Sequence, residues 1–432
     1  MLNVHFLGIG GSGASAAAAL AQAQGFKVTG CDLEPNNEFT AAFKKDQLFK
    51  GHDPEHISHP SKGKIDILAV TPAIFSLDPN NPELLAAKEK NIPILTWQQF
   101  LGEYLTKGKF VIAVCGTHGK TTTTAMIAQM LEDAGLDPIV EIGAIVPRWK
   151  TNYRKGKGKF FVVEADEFND NFLHLKPDIT VVTNIEMDHP EYFKDFETVK
   201  NSFRNFLLQT KGTIVGNLTD NAIADILKVV MKESPVICFD YSNNHYNLRL
   251  KIPGKFNQLN ASAAFQVGLL LNIDPSIIKK SLENYQGAGR RFEYIGEYKG
   301  AKVYSDFGHH PTEIKVTVEA AREKFPDNRI LLIYQPHMFS RTKFLFAEFV
   351  KVFREASVDK IFIMDIYPSR EVDTNLVTSK QLVDKVNKSS VIYIGKASEI
   401  LGKLKPEIEK NDIIFFMSAG DTDYLAKELV SS

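Results

Sequence analysis

The residues with the clearest chemical potential lie in one glycine-containing loop between an apolar run, residues 110–114, and a helical pattern. Backbone N–H groups of such a loop and of the following helix N-terminus bind phosphate oxygens. A lysine reaches the β- and γ-phosphates, and the next hydroxyl ligates Mg²⁺. We therefore predict an ATP site, although a glycine turn that only caps a helix would share the pattern. Its residues are Gly116, Thr117, His118, Gly119, Lys120, Thr121 and Thr122.

Acidic and histidine residues follow the next two apolar runs. Glu164 comes directly after residues 160–163, and His189 comes shortly after residues 178–184. Ligands of open α/β sheets bind beyond the carboxyl ends of the strands, and a carboxylate there commonly completes a Mg²⁺ site. We predict a Mg²⁺ site, which Mn²⁺ could also fill, made by Thr121 and Glu164. His189 could be a further metal ligand, could face a phosphate or could act as a cap, and its place beside these residues favours a functional role. Three nearby acids are equally well explained as solvated loop residues or helix N-caps: Asp166, Glu167 and Asp188.

A second glycine loop, residues 8–13, follows the first apolar run of the chain. Glycines stand at positions 8, 10 and 13, and Asp32 ends the next apolar run. This spacing lets a pyrophosphate approach the backbone while the acid bonds a sugar hydroxyl. Any nucleoside diphosphate would satisfy the pattern, and so would a tight turn that packs a helix on a strand. The predicted ligand-binding residues are Gly10, Gly11, Ser12, Gly13 and Asp32.

Two polar loops in the last third of the chain also follow apolar runs. His309 and His310 come after residues 301–306, and His337 and Arg341 come after residues 330–335. A guanidinium binds two oxygens of a carboxylate or phosphate at once, so these loops predict a substrate cleft. The pair at positions 290 and 291, both arginine, could reach a nucleotide or could form salt bridges between domains.

Composition bounds the class of protein. The 432 residues carry 51 basic and 52 acidic side chains, which argues against nucleic acid or an anionic membrane as the main partner. No apolar run reaches membrane-spanning length. The three cysteines form no CxxC pair, so we expect a reduced, cytoplasmic protein with neither a disulfide framework nor a structural zinc site.

Apolar runs alternate with amphipathic helical patterns along the whole chain, which predicts parallel sheets covered by helices. We predict three α/β domains: residues 1–106, residues 107–288 and residues 289–432. The basic, glycine-containing stretch 148–159 is expected to be a loop. One chain would then hold two nucleotide-type sites and a third cleft. A kinase does not need the first domain, and an NAD-dependent oxidoreductase does not need the lysine loop. An ATP-driven ligase acting on a nucleotide-linked substrate needs all three, and a non-catalytic nucleotide-binding scaffold is the remaining alternative.

The chain resembles the Mur ligases of peptidoglycan synthesis over nearly its whole length. The resemblance rests on the segments LGIGGSG (7–13), GTHGKTTTT (116–124), EADE (164–167), TNIE (183–186), DH (188–189), GRRF (289–292), FGHHPTE (307–313), QPH (335–337) and RT (341–342). The usual phosphate loop has a further glycine five residues before Gly119, and Val114 occupies that position here. The Mur ligases also lack this glycine.

The resemblance implies an N-terminal Rossmann-like domain for a UDP-sugar, a central P-loop ATPase domain, and a C-terminal Rossmann-like domain that closes over the site. It implies that ATP activates the carboxylate of UDP-N-acetylmuramate as an acyl phosphate and that L-alanine attacks it. The closest alternative, a murein peptide ligase, adds a recycled tripeptide to the same sugar. Partners would be these small molecules alone, and the protein would be a monomer or a weak homodimer.

The resemblance also assigns roles to positions of this chain. Catalysis is expected from Lys120, His189, His309 and Arg341. Further ATP contacts are expected from Asn257, Asn260, Arg291 and Asp306. Further substrate contacts are expected from His52, Thr71, Pro72, His337 and Arg341. Three positions depart from the family pattern, where aspartate, arginine and glycine are usual: Ser305, Met338 and Ser418. The first two adjoin the cleft and bear on the choice of amino acid.

Overall fold

Three β-sheets with flanking helices make up the chain. The structure is a computed structural model that describes residues 2–58, 64–243, 246–373 and 376–432. Each sheet is parallel or has one antiparallel edge strand, so the predicted three-domain α/β architecture is confirmed. Within the described residues, no helix has the length and apolar character that a membrane span requires.

The first sheet is fully parallel and has the strand order β3-β2-β1-β4-β5. Its strands are β1 (Asn3–Leu7), β2 (Lys27–Asp32), β3 (Leu48–Lys50), β4 (Ile67–Val70) and β5 (Ile94–Thr96). Its helices are α1 (Ser12–Ala23), α2 (Glu55–Ser58), α3 (Ala73–Leu77), α4 (Pro82–Glu89) and α5 (Trp97–Phe100). The strand order reverses at β1, with β2 and β3 on one side of it and β4 and β5 on the other. Sheets of this kind bind ligands at the position of the reversal, here between β1 and β4.

The second sheet has seven strands in the order β12-β11-β10-β6-β9-β7-β8, with β8 antiparallel at one edge. The strands are β6 (Phe110–Cys115), β7 (Ile139–Val146), β8 (Thr151–Arg154), β9 (Phe160–Glu164), β10 (Ile179–Val182), β11 (Thr213–Gly216) and β12 (Ile237–Asp240). The helices are α6 (Lys120–Asp133), α7 (Phe196–Leu207), α8 (Asn221–Glu233), α9 (Lys255–Leu270) and α10 (Pro275–Glu283).

The third sheet has six strands in the order β13-β14-β18-β15-β16-β17, with β13 antiparallel at one edge. The strands are β13 (Glu293–Tyr298), β14 (Ala301–Asp306), β15 (Ile330–Tyr334), β16 (Lys360–Met364), β17 (Val391–Gly395) and β18 (Ile413–Met417). The helices are α11 (Pro311–Lys324), α12 (Phe339–Phe344), α13 (Phe346–Glu355), α14 (Ser379–Val386), α15 (Ala397–Leu404) and α16 (Thr422–Val430).

The expected loop at residues 148–159 is wrong in part, because it contains the edge strand β8. Its side chains alternate polar and apolar only weakly, and the pairing partner β7 supplies the order that the sequence does not signal. Asn152 of β8 is buried and donates its side-chain amide to the carbonyl of Ser12. The supposed loop therefore packs on helix α1 of the first sheet.

The chain divides into two compact units. The first contains residues 1–185, 199–248 and 260–284 and holds the first two sheets. The second contains residues 186–198, 249–259 and 285–432 and holds the third sheet. The proposed domain boundaries at 106/107 and 288/289 stay predictions.

Candidate active site

The lysine loop in the first unit has the backbone that a phosphate cradle requires. It connects β6 to α6, and both of its glycines have positive φ, +133° at Gly116 and +81° at Gly119. A Cβ on Gly116 would lie 2.0 Å from Thr183 Oγ1, and one on Gly119 would lie 2.7 Å from Asn260 Oδ1. Any larger side chain would therefore strain the backbone and collide with a neighbour.

Two residues that follow β10 hold this loop in place. The Asn184 side chain accepts the His118 N–H at 2.8 Å and donates to the His118 carbonyl at 2.9 Å. The Thr183 hydroxyl donates to the same carbonyl at 2.6 Å. Sequence reasoning placed these residues in a family motif but gave them no role, because nothing local links position 118 to position 184.

Lys120 is the first residue of α6, and its ammonium group is tied to the loop. It donates to the carbonyl of Gly116 at 2.7 Å and lies 2.8 Å from Glu167 Oε2. Burial opposes its charged form, but the charges of Glu167 and Asp166 outweigh burial and raise the pKa of Lys120. Glu167 is therefore an ion-pair partner of the lysine and not a solvated loop acid.

Thr121 and Glu164 lie side by side at the carboxyl ends of the central strands. The Thr121 hydroxyl donates to Glu164 Oε1 at 2.8 Å, and Glu164 Oε2 accepts the Gly143 N–H at 2.9 Å. Burial, with the charges of Glu164 and Asp166, raises the pKa of nearby Glu141 well above its ordinary value. Oxygen ligands crowded by like charges form a donor set that suits a divalent cation such as Mg²⁺.

The other glycine loop, residues 8–13, follows strand β1 of the first sheet. It is held by Asp32, the acid that the sequence spacing indicated. Gly10 donates its N–H to Asp32 Oδ2 at 2.9 Å, and its carbonyl accepts from Asn37 at 3.0 Å. Gly8 has φ +88°, and a Cβ there would lie 2.4 Å from the Thr71 side chain. Asp32 thus organises the loop, while Gly11, Ser12 and Gly13 begin helix α1 beside it.

Thr71, Pro72 and His52 lie in different settings. Thr71 follows β4 and packs on the glycine loop, and Pro72 is the N-cap residue of α3. The His52 ring is instead drawn toward the interior, where its Nδ1 lies 3.5 Å from Cys31 Sγ and 3.9 Å from Glu83 Oε1.

The second unit gathers four of the predicted residues around one carboxylate. Asp188 Oδ1 accepts from Arg341 Nε at 2.8 Å, and Asp188 Oδ2 lies 3.7 Å from His309 and 3.8 Å from His189. His337 Nδ1 lies 3.1 Å from Arg341 Nη1. Burial alone would raise the pKa of Asp188, but the charge of Arg341 and the two histidines hold it well below its ordinary value. The sequence alone did not distinguish Asp188 from a solvated loop acid or a helix N-cap.

His189 has a second partner in this unit. Its Nδ1 lies 3.2 Å from Glu191 Oε1, and Glu191 also pairs with Arg370. A carboxylate on one ring nitrogen orients the other nitrogen and increases its basicity, which is how metal-binding histidines are usually prepared.

Asp306, at the end of β14, is engaged with backbone. Its Oδ2 accepts the Phe292 N–H at 2.9 Å and its Oδ1 accepts the Gly308 N–H at 2.8 Å. Burial raises its pKa. The guanidinium groups of Arg290 and Arg291 lie over the Phe307 ring, at 4.9 and 4.5 Å from its centre.

Asn257 and Asn260, two of the predicted ATP-binding residues, belong to different units. Asn260 of α9 lies against Gly119 in the first unit. Asn257 belongs to the second unit, where its side chain donates to the Pro253 carbonyl at 2.6 Å. Arg291, Asp306, His309, His337 and Arg341 belong to the second unit as well.

The three departures from the family pattern have distinct settings. Ser305 is fully buried in β14. Met338 is buried, has φ +72° and precedes α12. Ser418 accepts the Gly420 N–H at 2.8 Å with its hydroxyl oxygen, while its carbonyl and that of Gly420 bind Arg290. Ser418 thus takes part in a loop that Arg290 closes.

The pH dependence of unfolding provides a test of the His337 environment. Burial, with neighbouring His309 and Arg341, lowers the pKa of His337 to about 2, whereas an unfolded histidine titrates near ~6.5. Between these values only the unfolded chain binds the proton. Stability of the second unit should therefore fall as pH drops below about 6.5, by up to ~1.4 kcal/mol per pH unit from this residue. Urea midpoints at pH 5, 6 and 7 should show a shallower loss in His337→Gln; equal slopes would contradict the buried neutral ring.

Comparisons with known proteins agree with this arrangement. Three family models of the Mur ligases match this chain in order. The catalytic domain matches residues 3–108, the middle domain residues 114–245 and the glutamate ligase domain residues 290–420. A UDP-N-acetylmuramate–L-alanine ligase of Aquifex aeolicus is 36% identical, and the match covers 99% of this chain and 96% of that protein.

Solved structures show the same similarity in three dimensions. The UDP-N-acetylmuramate–alanine ligase of Thermotoga maritima superimposes with a TM-score of 0.79 at 26% identity, over 100% of this chain and 99% of that one. A murein peptide ligase of Psychrobacter arcticus shares the fold, with a TM-score of 0.73 at 22% identity over 100% and 98% of the two chains. Similarity of this extent identifies the family, and the chain belongs to the Mur ligases.

Proposed function

We propose that this protein is an ATP-dependent ligase that joins L-alanine to the carboxylate of UDP-N-acetylmuramate in peptidoglycan precursor synthesis. The observation that carries the proposal is the full-length similarity to the alanine-adding ligases, with 36% identity to the Aquifex aeolicus protein. The lysine cradle and the glycine loop supply the two nucleotide sites that this reaction needs.

The proposed reaction has two steps. A carboxylate oxygen of UDP-N-acetylmuramate attacks the γ-phosphorus of ATP, the bond to ADP breaks, and an acyl phosphate forms. The amine nitrogen of L-alanine then attacks the acyl carbon, the C–O bond to phosphate breaks, and the nitrogen loses a proton. Cations and dipoles that offset charge on the transferring group, and correct positioning, supply most of the rate.

We assign roles to residues of each unit on the basis of their surroundings. Lys120, held at the cradle by Gly116, neutralises charge on the transferring phosphoryl group. Arg341 binds a carboxylate or phosphoryl oxygen, and His337 and His309 contact the reacting groups or the amino acid. The backbone of Gly10–Gly13 holds the diphosphate of the sugar nucleotide, and Asp32 organises this loop and can bind a sugar hydroxyl.

Mg²⁺ would be held by Thr121 and Glu164, with His189 at a second metal position, and Mn²⁺ could replace it. When bound, the cation draws charge from the phosphate oxygens. We expect Glu164→Gln to raise the Mg²⁺ concentration for half-maximal activity at least about tenfold, because it removes an anionic ligand. Glu132→Gln is the matched control, since Glu132 lies on α6 and pairs with Arg148. An unchanged Mg²⁺ requirement in Glu164→Gln would remove it from the metal site.

The alternative substrate is a recycled tripeptide, as in murein peptide ligases. The solved murein peptide ligase is similar only at the level of fold, and the glycine loop and the two-histidine loop of this chain favour alanine. An NAD-dependent oxidoreductase would use the glycine loop and leave the lysine cradle without a purpose. Which amino acid is accepted depends on positions that include Ser305 and Met338.

The deciding experiment is phosphate release from ATP, Mg²⁺ and UDP-N-acetylmuramate, measured with L-alanine, with the tripeptide and with neither. Release with alanine alone is the expected result. Release with the tripeptide alone would move the protein to the recycling ligases, and absence of release in every tube would contradict a ligase of either kind. Light scattering of the same sample tests our accompanying proposal of a monomer or weak homodimer.

A further inference from the structure

Four side chains of metal-ligating types meet inside the N-terminal sheet, apart from the lysine cradle and the Asp188 group, and His52 lies beside them. They are His5 of β1, Cys31 of β2, His56 of α2 and Glu83 of α4, and their ligand atoms all lie within 4.8 Å of one another. His5 and Glu83 have no solvent exposure. The residues come from four separate elements, so the sequence shows no spacing that would announce them.

Glu83 is the centre of the group. Its Oε2 lies 3.1 Å from His5 Nε2, and its Oε1 lies 2.9 Å from His56 Nδ1 and 3.0 Å from Cys31 Sγ. Apolar side chains pack around the group, among them Leu7, Ile57, Leu68 and Leu84, and the Asp53 N–H also donates to Glu83 Oε1 at 3.2 Å. A carboxylate in such surroundings is costly unless a compensating charge accompanies it.

The types and distances fit a tetrahedral ion of the zinc class. Zinc takes histidine nitrogen at ~2.0–2.1 Å, cysteine sulfur at ~2.3 Å and carboxylate oxygen at ~2.0–2.2 Å, so neighbouring ligand atoms lie about 3.3–3.7 Å apart. The contacts to Glu83 are slightly shorter, and no two ligand atoms of the group lie more than 4.8 Å apart. Side-chain adjustments of a few tenths of an ångström up to about 1 Å would place all four atoms around one ion, since none of the separations exceeds 4.8 Å.

The orientation of His5 adds a second observation. Its Nδ1 lies 2.8 Å from the Thr29 hydroxyl, which holds the ring with Nε2 directed at Glu83. A polar partner on the far nitrogen is the usual support of a metal-binding histidine.

We propose that His5, Cys31, His56 and Glu83 form a buried structural site for a zinc-class divalent ion. This departs from the sequence expectation, which looked for cysteine pairs. The site would brace the glycine loop, because the Cys31 carbonyl accepts the N–H groups of Gly8 at 2.9 Å and Ile9 at 3.1 Å. The next residue, Asp32, binds Gly10.

The test uses the full-length protein, with Co²⁺ as the spectroscopic probe and zinc content as the stoichiometric one. Protein produced with added zinc and dialysed against a weak chelator should retain about one zinc per chain. Replacement by Co²⁺ should give ligand-field bands of tetrahedral type and a sulfur-to-metal charge-transfer band. Cys31→Ser should lose the charge-transfer band, and the matched variant Cys238→Ser, in strand β12, should keep it.

Several outcomes would overturn the proposal. They are zinc lost on dialysis, Co²⁺ without a charge-transfer band, or a band that survives Cys31→Ser. If Cys31→Ser does not fold, zinc-edge X-ray absorption of the unaltered protein decides, because a sulfur neighbour near ~2.3 Å must appear. None of these measurements depends on ligase activity, so they stand apart from the proposed function.

Discussion

Replacing Lys120 with alanine is expected to reduce phosphate release by at least about 10³-fold without unfolding the protein. The ammonium group lies at the N-terminus of α6 and is held by the Gly116 carbonyl and Glu167. A fixed donor aimed at developing charge is worth about 10²–10³ in rate, and a cation on a transferring phosphoryl group about 10³–10⁵. Phosphate release with saturating ATP, UDP-N-acetylmuramate and L-alanine is the measurement.

Lys109→Ala is the matched control for this variant. Lys109 precedes β6 in the same unit, and its amine binds only backbone there, the Gly158 carbonyl at 3.3 Å, among the contacts described. Its activity should equal that of the unaltered protein, while both variants keep the same circular dichroism spectrum. Near-normal turnover in Lys120→Ala would rule out phosphoryl transfer at this cradle.

Asp188→Ala is expected to destabilise the second unit strongly. Arg341 has only 2% of its side chain exposed and donates to Asp188 at 2.8 Å. Removing one member of a buried ion pair leaves the other charge without compensation, which costs about 3–5 kcal/mol. The free energy of unfolding of the second unit, measured in urea, should fall by this amount, and activity should fall with it.

Two comparisons isolate the buried pair as the cause. Glu399→Ala breaks an exposed pair with Lys403 on α15 of the same unit and should leave stability unchanged. The double variant Asp188→Leu with Arg341→Met removes both charges and should recover much of the stability but none of the activity. A single Asp188→Ala variant as stable as the unaltered protein would show that another group compensates Arg341.

The sequence by itself determined the fold class and the two nucleotide loops. Each loop is part of a local pattern in which a buried strand, a glycine loop and a helix follow one another within about twenty residues. Such a pattern can be recognised from the order of residues along the chain. The limits of β14 agree with the predicted run 301–306 to the residue, and β2 ends at Asp32 as predicted. Five strands were not predicted: β3, β7, β8, β12 and β13. All but β7 lie at sheet edges, where strands need few apolar residues and take their order from the partner strand.

Only the tertiary structure decided which polar residues act together. Asp188 could be a loop acid or an N-cap until the fold set it 2.8 Å from Arg341, a residue 153 positions away. Asn184 supports His118, and Glu83 gathers His5, Cys31 and His56, across similar gaps in the chain. Parallel sheets bring distant strand ends to one edge, and the energy of a buried charge depends on the partners found there. Sequence spacing identifies residues that are close along the chain, whereas these partners are close only in space.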